Sequence, residues 1–101
     1  MIKVSLIDEH PVICDALTAL LSDVDDVMVA GSSRSFKEFA EVIADVQPNI
    51  VITVFYKPDD INVEDIRQLA FEYPNIKLLV LSMFNDEKQV LKMIKAGAKG
   101  H

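Results

Sequence analysis

The sequence has few of the features that disulfide-bonded, cysteine-rich metal-binding, membrane-spanning or secreted proteins require. Its single cysteine, Cys14, excludes an internal disulfide and a cysteine-rich metal site, and one thiol fits a reducing compartment. No apolar run reaches the roughly 18 residues that a membrane-spanning helix needs. The first five residues, MIKVS, indicate a strand rather than a signal peptide. These absences lead us to expect a cytoplasmic protein with no membrane association.

Basic residues are also scarce. The chain has ten Lys and Arg residues and 16 Asp and Glu residues, which gives a formal net charge of −6. Because an acidic surface repels the phosphate backbone of nucleic acids, we expect this segment not to bind DNA directly. Half of the residues are hydrophobic and 26% are charged, as in folded globular domains. The length predicts one domain over residues 1–101.

Short apolar runs alternate with segments of helical periodicity along the whole chain. The runs predict strands at 2–7, 27–30, 50–55 and 76–81. Gly31 is expected to end the second strand. The third run is continuously apolar, as in a parallel strand that is buried on both faces. Apolar residues at helical spacing predict helices at 11–22, 36–46, 63–73 and from about 86 to the cap at Gly97.

A strand followed by a helix thus occurs four times in succession. This alternation predicts a parallel sheet with helices on its faces and right-handed crossovers. Ligands of such open sheets bind at the carboxyl ends of the strands. The residues at those ends are the candidate site residues: Asp8, Glu9, Val54, Phe55, Ser82 and Met83.

Four motifs, in this order, resemble those of the receiver domains of two-component response regulators. They are IDEHP (7–11), PNIVI (48–52) with a Lys-Pro pair at 57–58, LVLS (79–82) and AGAKG (96–100). The resemblance covers the whole chain. It implies a flavodoxin-like, doubly wound parallel sheet of strand order 2-1-3-4. The His10-Pro11 pair and the alanine-glycine turn resemble regulators that carry a C-terminal helix-turn-helix DNA-binding domain.

The same resemblance suggests roles for individual residues. Asp8 and Glu9 occupy the positions of the acidic pair that holds Mg²⁺, a cation that favours hard oxygen ligands. Ser82 stands at the hydroxyl switch position and His101 at the aromatic switch position. A weak cation at Asp8 and Glu9 is one interpretation, and a solvated acidic loop is the other. No cofactor is firmly implied.

The phosphoacceptor position departs from the family pattern. Counting from Pro48 and from Pro58 places it on the same residue, Val54. Valine has neither a nucleophile nor a metal-binding oxygen, so acyl-phosphate formation at that position is excluded. Thr53 is expected to point to the opposite face of its strand, because side chains alternate.

The neighbours of Val54 are expected not to replace the missing carboxylate. Asp59 and Asp60 lie in the loop after Pro58, too far along the chain by register. Phe55 and Tyr56 are expected to be packing residues that fill the emptied pocket. Asn62 replaces the family's glycine in this loop and is a candidate N-cap of the third helix.

The chain stops at His101, so the resemblance implies that the fifth strand, the fifth helix and a phosphate-contacting lysine are missing. Residues 76–81 would then form an exposed apolar edge, which invites pairing with another chain. We expect a fragment of a longer protein, with a partner or a second copy as the alternative cover. Exposed apolar character at Met83 and Phe84 also indicates a partner surface.

We therefore predict a non-enzymatic interaction module. It would be a degenerate receiver domain that regulates through dimerisation or partner binding, independently of phosphorylation. It would reach DNA only through an attached transcription effector. Two alternatives stay open: a phosphoacceptor that uses a displaced acid such as Asp8 or Asp59, and a small-molecule sensor with an apolar pocket around Val54 and Phe55.

Overall fold

The computed structural model describes all 101 residues. The elements, in chain order, are β1 (Ile2–Ile7), α1 (Pro11–Ser22), β2 (Val27–Ser33), α2 (Phe36–Val46), β3 (Ile50–Phe55), a 3₁₀ turn (Pro58–Asp60), α3 (Val63–Glu72), β4 (Lys77–Ser82) and α4 (Glu87–Ala96). All strands are parallel, in the order β2-β1-β3-β4. The predicted α/β class and strand order are confirmed. No helix combines the length and the hydropathy needed to cross a membrane.

Side-chain caps explain where three of the helices begin. The Ser35 hydroxyl accepts a hydrogen bond from the Glu38 amide at 3.1 Å, and the Asn62 side chain accepts one from the Glu64 amide at 3.0 Å. The Asp86 side chain accepts from the amides of Lys88 at 3.1 Å and Gln89 at 3.3 Å. Each cap satisfies an amide that lacks a partner within the helix. The predicted cap at Asn62 is confirmed.

Strand β2 is longer than its apolar run, so the prediction that Gly31 ends it was wrong. The register along β1 shifts at this point: Val4 pairs with Val29, and Ser5 pairs with Gly31. The intervening Ala30 forms a bulge, after which pairing continues to Ser33. Backbone hydrogen bonds to β1 thus extend the strand through polar residues that the hydrophobic pattern could not identify.

The segment after α4 lies along β4, on the side opposite β3. The Lys99 amide donates to the Leu78 carbonyl at 2.8 Å, and the Val80 amide donates to the Gly100 carbonyl at 3.0 Å. Gly100 forms a parallel bridge with Leu79. The expectation of an open β4 edge is therefore corrected: the edge is paired around Leu79.

The two faces of the sheet are packed unequally. Twelve buried residues form the main core between the sheet and the helices α2, α3 and α4. The other face has a small cluster of Val4, Leu6 and Cys14 beneath α1. Cys14 is buried in that cluster and carries a free thiol. Since all strands run in one direction, their carboxyl ends share one edge of the sheet, and that edge carries the predicted site residues.

Candidate functional site

Asp8 is the acidic residue at the centre of this edge. It directly follows β1 and is only 4% exposed, whereas its neighbour Glu9 is exposed. Its Oδ1 atom accepts a hydrogen bond from the Tyr56 hydroxyl at 2.5 Å and another from the His10 amide at 3.0 Å. Its Oδ2 atom is buried and has no hydrogen-bond partner. A buried carboxyl group is thus tied to the loop that follows β3.

Tyr56 makes a contact at this edge that sequence reasoning missed. We expected a packing residue, and the structure shows a hydrogen-bond donor to Asp8, 48 positions away in the chain. The His10 and Tyr56 rings form a T-shaped contact, with 4.2 Å between ring centroids and 80° between planes. Only the adjacency of the β1 and β3 ends could have signalled this pair, because a tyrosine after a strand has no motif of its own.

Val54 lies near the carboxyl end of β3, one residue before the strand ends, and is 6% exposed. Together with Asp8 and Glu9 it lines a cavity of about 210 Å³. The structure therefore brings together the three residues that the resemblance assigned to acceptor and cation binding. Thr53 also lines this cavity but is almost completely buried, so its hydroxyl is not freely accessible to a donor.

Asp60 lines the same cavity, which corrects the expectation that it lies too far away. The 3₁₀ turn at Pro58–Asp60 folds the loop back toward the strand end. The Asp60 Oδ2 atom accepts hydrogen bonds from the amides of Tyr56 at 3.1 Å and Lys57 at 3.2 Å. This carboxylate therefore holds its own loop in shape.

A divalent cation does not fit the residues present at this edge. Mg²⁺ requires near-octahedral oxygen coordination. Val54 supplies no oxygen, the Tyr56 hydroxyl already occupies Asp8 Oδ1, and no three His, Cys, Asp or Glu side chains converge in a metal-binding arrangement. Glu9 lies instead 3.6 Å from the His10 ring, measured from Oε1 to Nε2. The Asp8 Oδ2 atom, which has no hydrogen-bond partner, offers a single oxygen ligand, and one ligand is too few to define a cation site.

The two predicted switch positions meet at the end of β4. The Ser82 hydroxyl and the His101 Nε2 atom are 3.1 Å apart, within hydrogen-bond distance. His101 is exposed and Ser82 is half-buried. Pairing of the preceding segment with β4 brings His101 to this place.

Burial raises the pKa of the Tyr56 phenol well above its usual range, and the hydrogen bond to Asp8 and the negative charges of Asp8 and Glu9 raise it further. The folded state therefore keeps a proton that the unfolded chain loses. The stabilisation is fully present below the ordinary tyrosine pKa of about 10 and is lost as the pH rises toward the folded value.

We accordingly expect an alkaline loss of stability that depends on Tyr56. The free energy of unfolding should fall above about pH 10, with a limiting slope near 1.4 kcal/mol per pH unit from this one proton. The measurement is urea unfolding across the alkaline range. Tyr56→Phe should remove this component of the slope, whereas Tyr73→Phe, at the only other tyrosine, should retain it. Equal slopes in the two variants would contradict the assignment.

Exposed apolar side chains lie around the end of β4 and on α4: Leu81, Met83, Leu91 and Ile94. The predicted exposure of Met83 is confirmed, at 52%. The same expectation for Phe84 was wrong, because Phe84 is partly buried against the main core. A larger cavity, of about 360 Å³, lies between α2 and α3, away from Val54.

Known proteins resemble the chain in sequence and in fold. No protein-family model matches the chain. The response regulator GacA of Pseudomonas syringae pv. syringae is 26% identical over 101 residues, which is all of this chain and 47% of GacA. The response regulator protein VraR of Staphylococcus aureus is 28% identical over 100 residues, or 99% of this chain and 48% of VraR. The chain thus spans about half the length of the curated relatives it matches.

Solved structures show the same fold. The isolated REC domain of RcsB from Salmonella enterica serovar Typhimurium superposes with a TM-score of 0.87 at 19% identity, covering 98% of this chain and 74% of that one. The response regulator domain of Thermotoga maritima CheB gives a TM-score of 0.84 at 17% identity, covering 99% and 75%. We conclude that the chain is a domain of the receiver fold and is similar over its whole length to response regulators.

Proposed function

We propose that this domain is the receiver module of a response regulator in two-component signalling and that its output does not depend on phosphorylation. It would act through protein contacts, with itself or with a partner, and would control an attached transcription effector. Any contact with DNA would be made by that effector. The domain itself would carry no enzymatic activity.

One observation carries the proposal: a buried valine stands where the acceptor aspartate is expected. Val54 lines the same cavity as Asp8 and Glu9, so the rest of the acidic edge surrounds it. An alkyl side chain cannot attack a phosphoryl donor. The hydrogen bond from Tyr56 to Asp8 supports the same conclusion, since it occupies the oxygen that a catalytic cation would need.

Exposed apolar residues support the second part of the proposal. Leu81 and Met83 at the end of β4, and Leu91 and Ile94 on α4, are exposed apolar side chains. Groups of exposed apolar side chains are favoured sites of protein contact. The formal net charge of −6 favours a protein partner over nucleic acid.

The test is incubation of the whole protein with a small phosphodonor and Mg²⁺, followed by intact-mass analysis. We expect no mass gain under conditions in which a response regulator with an acceptor aspartate gains one phosphoryl group. A stable gain would overturn the proposal. Its loss in Asp8→Asn or Asp59→Asn would then identify a displaced acid as the acceptor.

The structure does not favour the remaining alternative, a ligand pocket around Val54 and Phe55. Both side chains are buried in packing, and the cavity beside them is lined by four acidic residues: Asp8, Glu9, Asp60 and Asp65. An apolar ligand would gain little binding free energy from a cavity lined by these acidic side chains.

A further inference from the structure

We propose that the hydrogen bond from the Tyr56 hydroxyl to Asp8 acts as a latch. The latch joins the β1–α1 loop to the β3–α3 loop and keeps cations away from the Asp8 carboxylate. The inference deepens the function proposed above, because it names what holds this edge in one conformation without a cation or a phosphoryl group.

The central contact of the latch joins a half-buried hydroxyl to a buried carboxylate. The Tyr56 hydroxyl donates its hydrogen bond to Asp8 Oδ1. Asp8 is almost completely buried. Hydrogen bonds to charged groups are stronger than neutral ones, and removing one partner of a buried pair leaves the other unsatisfied. The contact is therefore expected to hold both loops in place.

Both ends of Tyr56 are positioned by other residues. Its amide donates to Asp60 Oδ2, which also accepts from the Lys57 amide, so the base of the side chain belongs to a fixed turn. Its ring makes a T-shaped contact with the ring of His10, and the His10 amide donates to Asp8 Oδ1. Asp8, His10 and Tyr56 thus form a closed set of contacts between the two loops.

This set of contacts also excludes a cation. Asp8 Oδ1 already accepts two hydrogen bonds, and Oδ2 is buried without contact to solvent. A cation could bind the carboxylate only after the tyrosine hydroxyl had left. Tyr56 and a cation therefore compete for the same Asp8 oxygen, and this exclusion adds to the oxygen ligand that Val54 does not supply.

The experiment compares Tyr56→Phe with Tyr73→Phe in the whole protein. Amide hydrogen exchange is measured over residues 8–10 and 56–60, and MgCl₂ is titrated against NaCl of equal ionic strength while amide shifts are recorded. We expect these amides to exchange about ten-fold faster in Tyr56→Phe. Wild type and Tyr73→Phe should show neither this faster exchange nor a Mg²⁺-specific shift at residues 8–10.

Several results would overturn the latch. These are wild-type exchange rates in Tyr56→Phe, or Mg²⁺-specific shifts at residues 8–10 in the wild type. If Tyr56→Phe does not fold, Asp8→Asn tests the contact from the other side. It keeps the acceptor shape without the charge and should also speed exchange at 56–60, and unchanged rates would contradict the proposal.

The outcomes separate the latch from the function on which it rests. Phosphoryl gain by the wild-type protein would contradict the proposed function and leave the Tyr56 contact in place. Unchanged exchange in Tyr56→Phe would contradict the latch and leave the argument from Val54 intact.

Discussion

Replacing Gly97 with alanine should lower the free energy of unfolding by about 2–4 kcal/mol, from backbone strain and overpacking together. Gly97 caps α4 with φ +130°, a conformation that side-chain-bearing residues rarely adopt. A Cβ atom there would lie 2.5 Å from the Ala70 Cβ atom of α3. Helices α3 and α4 would have to separate, and the pairing of residues 99–100 with β4 would be disturbed.

Urea unfolding measures this effect, and the chain offers a matched control. Gly31 lacks a positive φ, and a Cβ atom added there meets nothing within 4 Å. Gly31→Ala should therefore change stability by about 1 kcal/mol or less. Combining Gly97→Ala with Ala70→Gly removes the clash and leaves the strain, so partial recovery is expected. A Gly97→Ala protein as stable as Gly31→Ala would contradict the argument.

Ile66→Ala should lower the free energy of unfolding by about 2–5 kcal/mol, an effect comparable with that of Gly97→Ala. Ile66 lies on α3, is completely buried, and belongs to the main core beneath the helices α2, α3 and α4. Truncation removes buried methyl and methylene groups and leaves a cavity that close-packed neighbours fill only partly. The loss is a large part of the roughly 5–15 kcal/mol that stabilises a typical domain.

Phe71 provides the contrast on the same helix. Its side chain is larger than that of Ile66 but is 86% exposed. Phe71→Ala should alter the free energy of unfolding by no more than about 0.5 kcal/mol, the usual limit for surface positions. Thermal or urea unfolding of the two variants checks the pair. Similar losses would show that α3 packs differently from the structure described here.

The fold could be predicted well because its signals are local and repeated. The continuous apolar run of β3, the caps of α2 and α3 and the glycine after α4 each mark a boundary within a few residues. Strand β2 could not be bounded in this way. Its last residues are glycine and serines, and only the pairing with β1 makes them a strand.

The positions of the candidate site residues could be predicted from the sequence, but the contacts that they make could not. Asp8, Val54 and Ser82 are found at strand ends because parallel strands share one carboxyl edge. Register alone placed Asp60 too far from Val54, because it ignores the 3₁₀ turn that folds the loop back. The sequence also gave no sign that Phe84 turns into the core while Met83 remains exposed.

By itself the sequence determined the α/β alternation, the acidic strand end and the valine at the expected acceptor position, because these depend on residue type and spacing along one chain. The tertiary structure alone decided that the Tyr56 hydroxyl meets Asp8, that Asp60 holds its own loop, and that His101 reaches Ser82. Two of these contacts join residues 48 and 19 positions apart. They exist because sheet pairing brings strand ends together, and no periodicity in the sequence records which side chains then face each other.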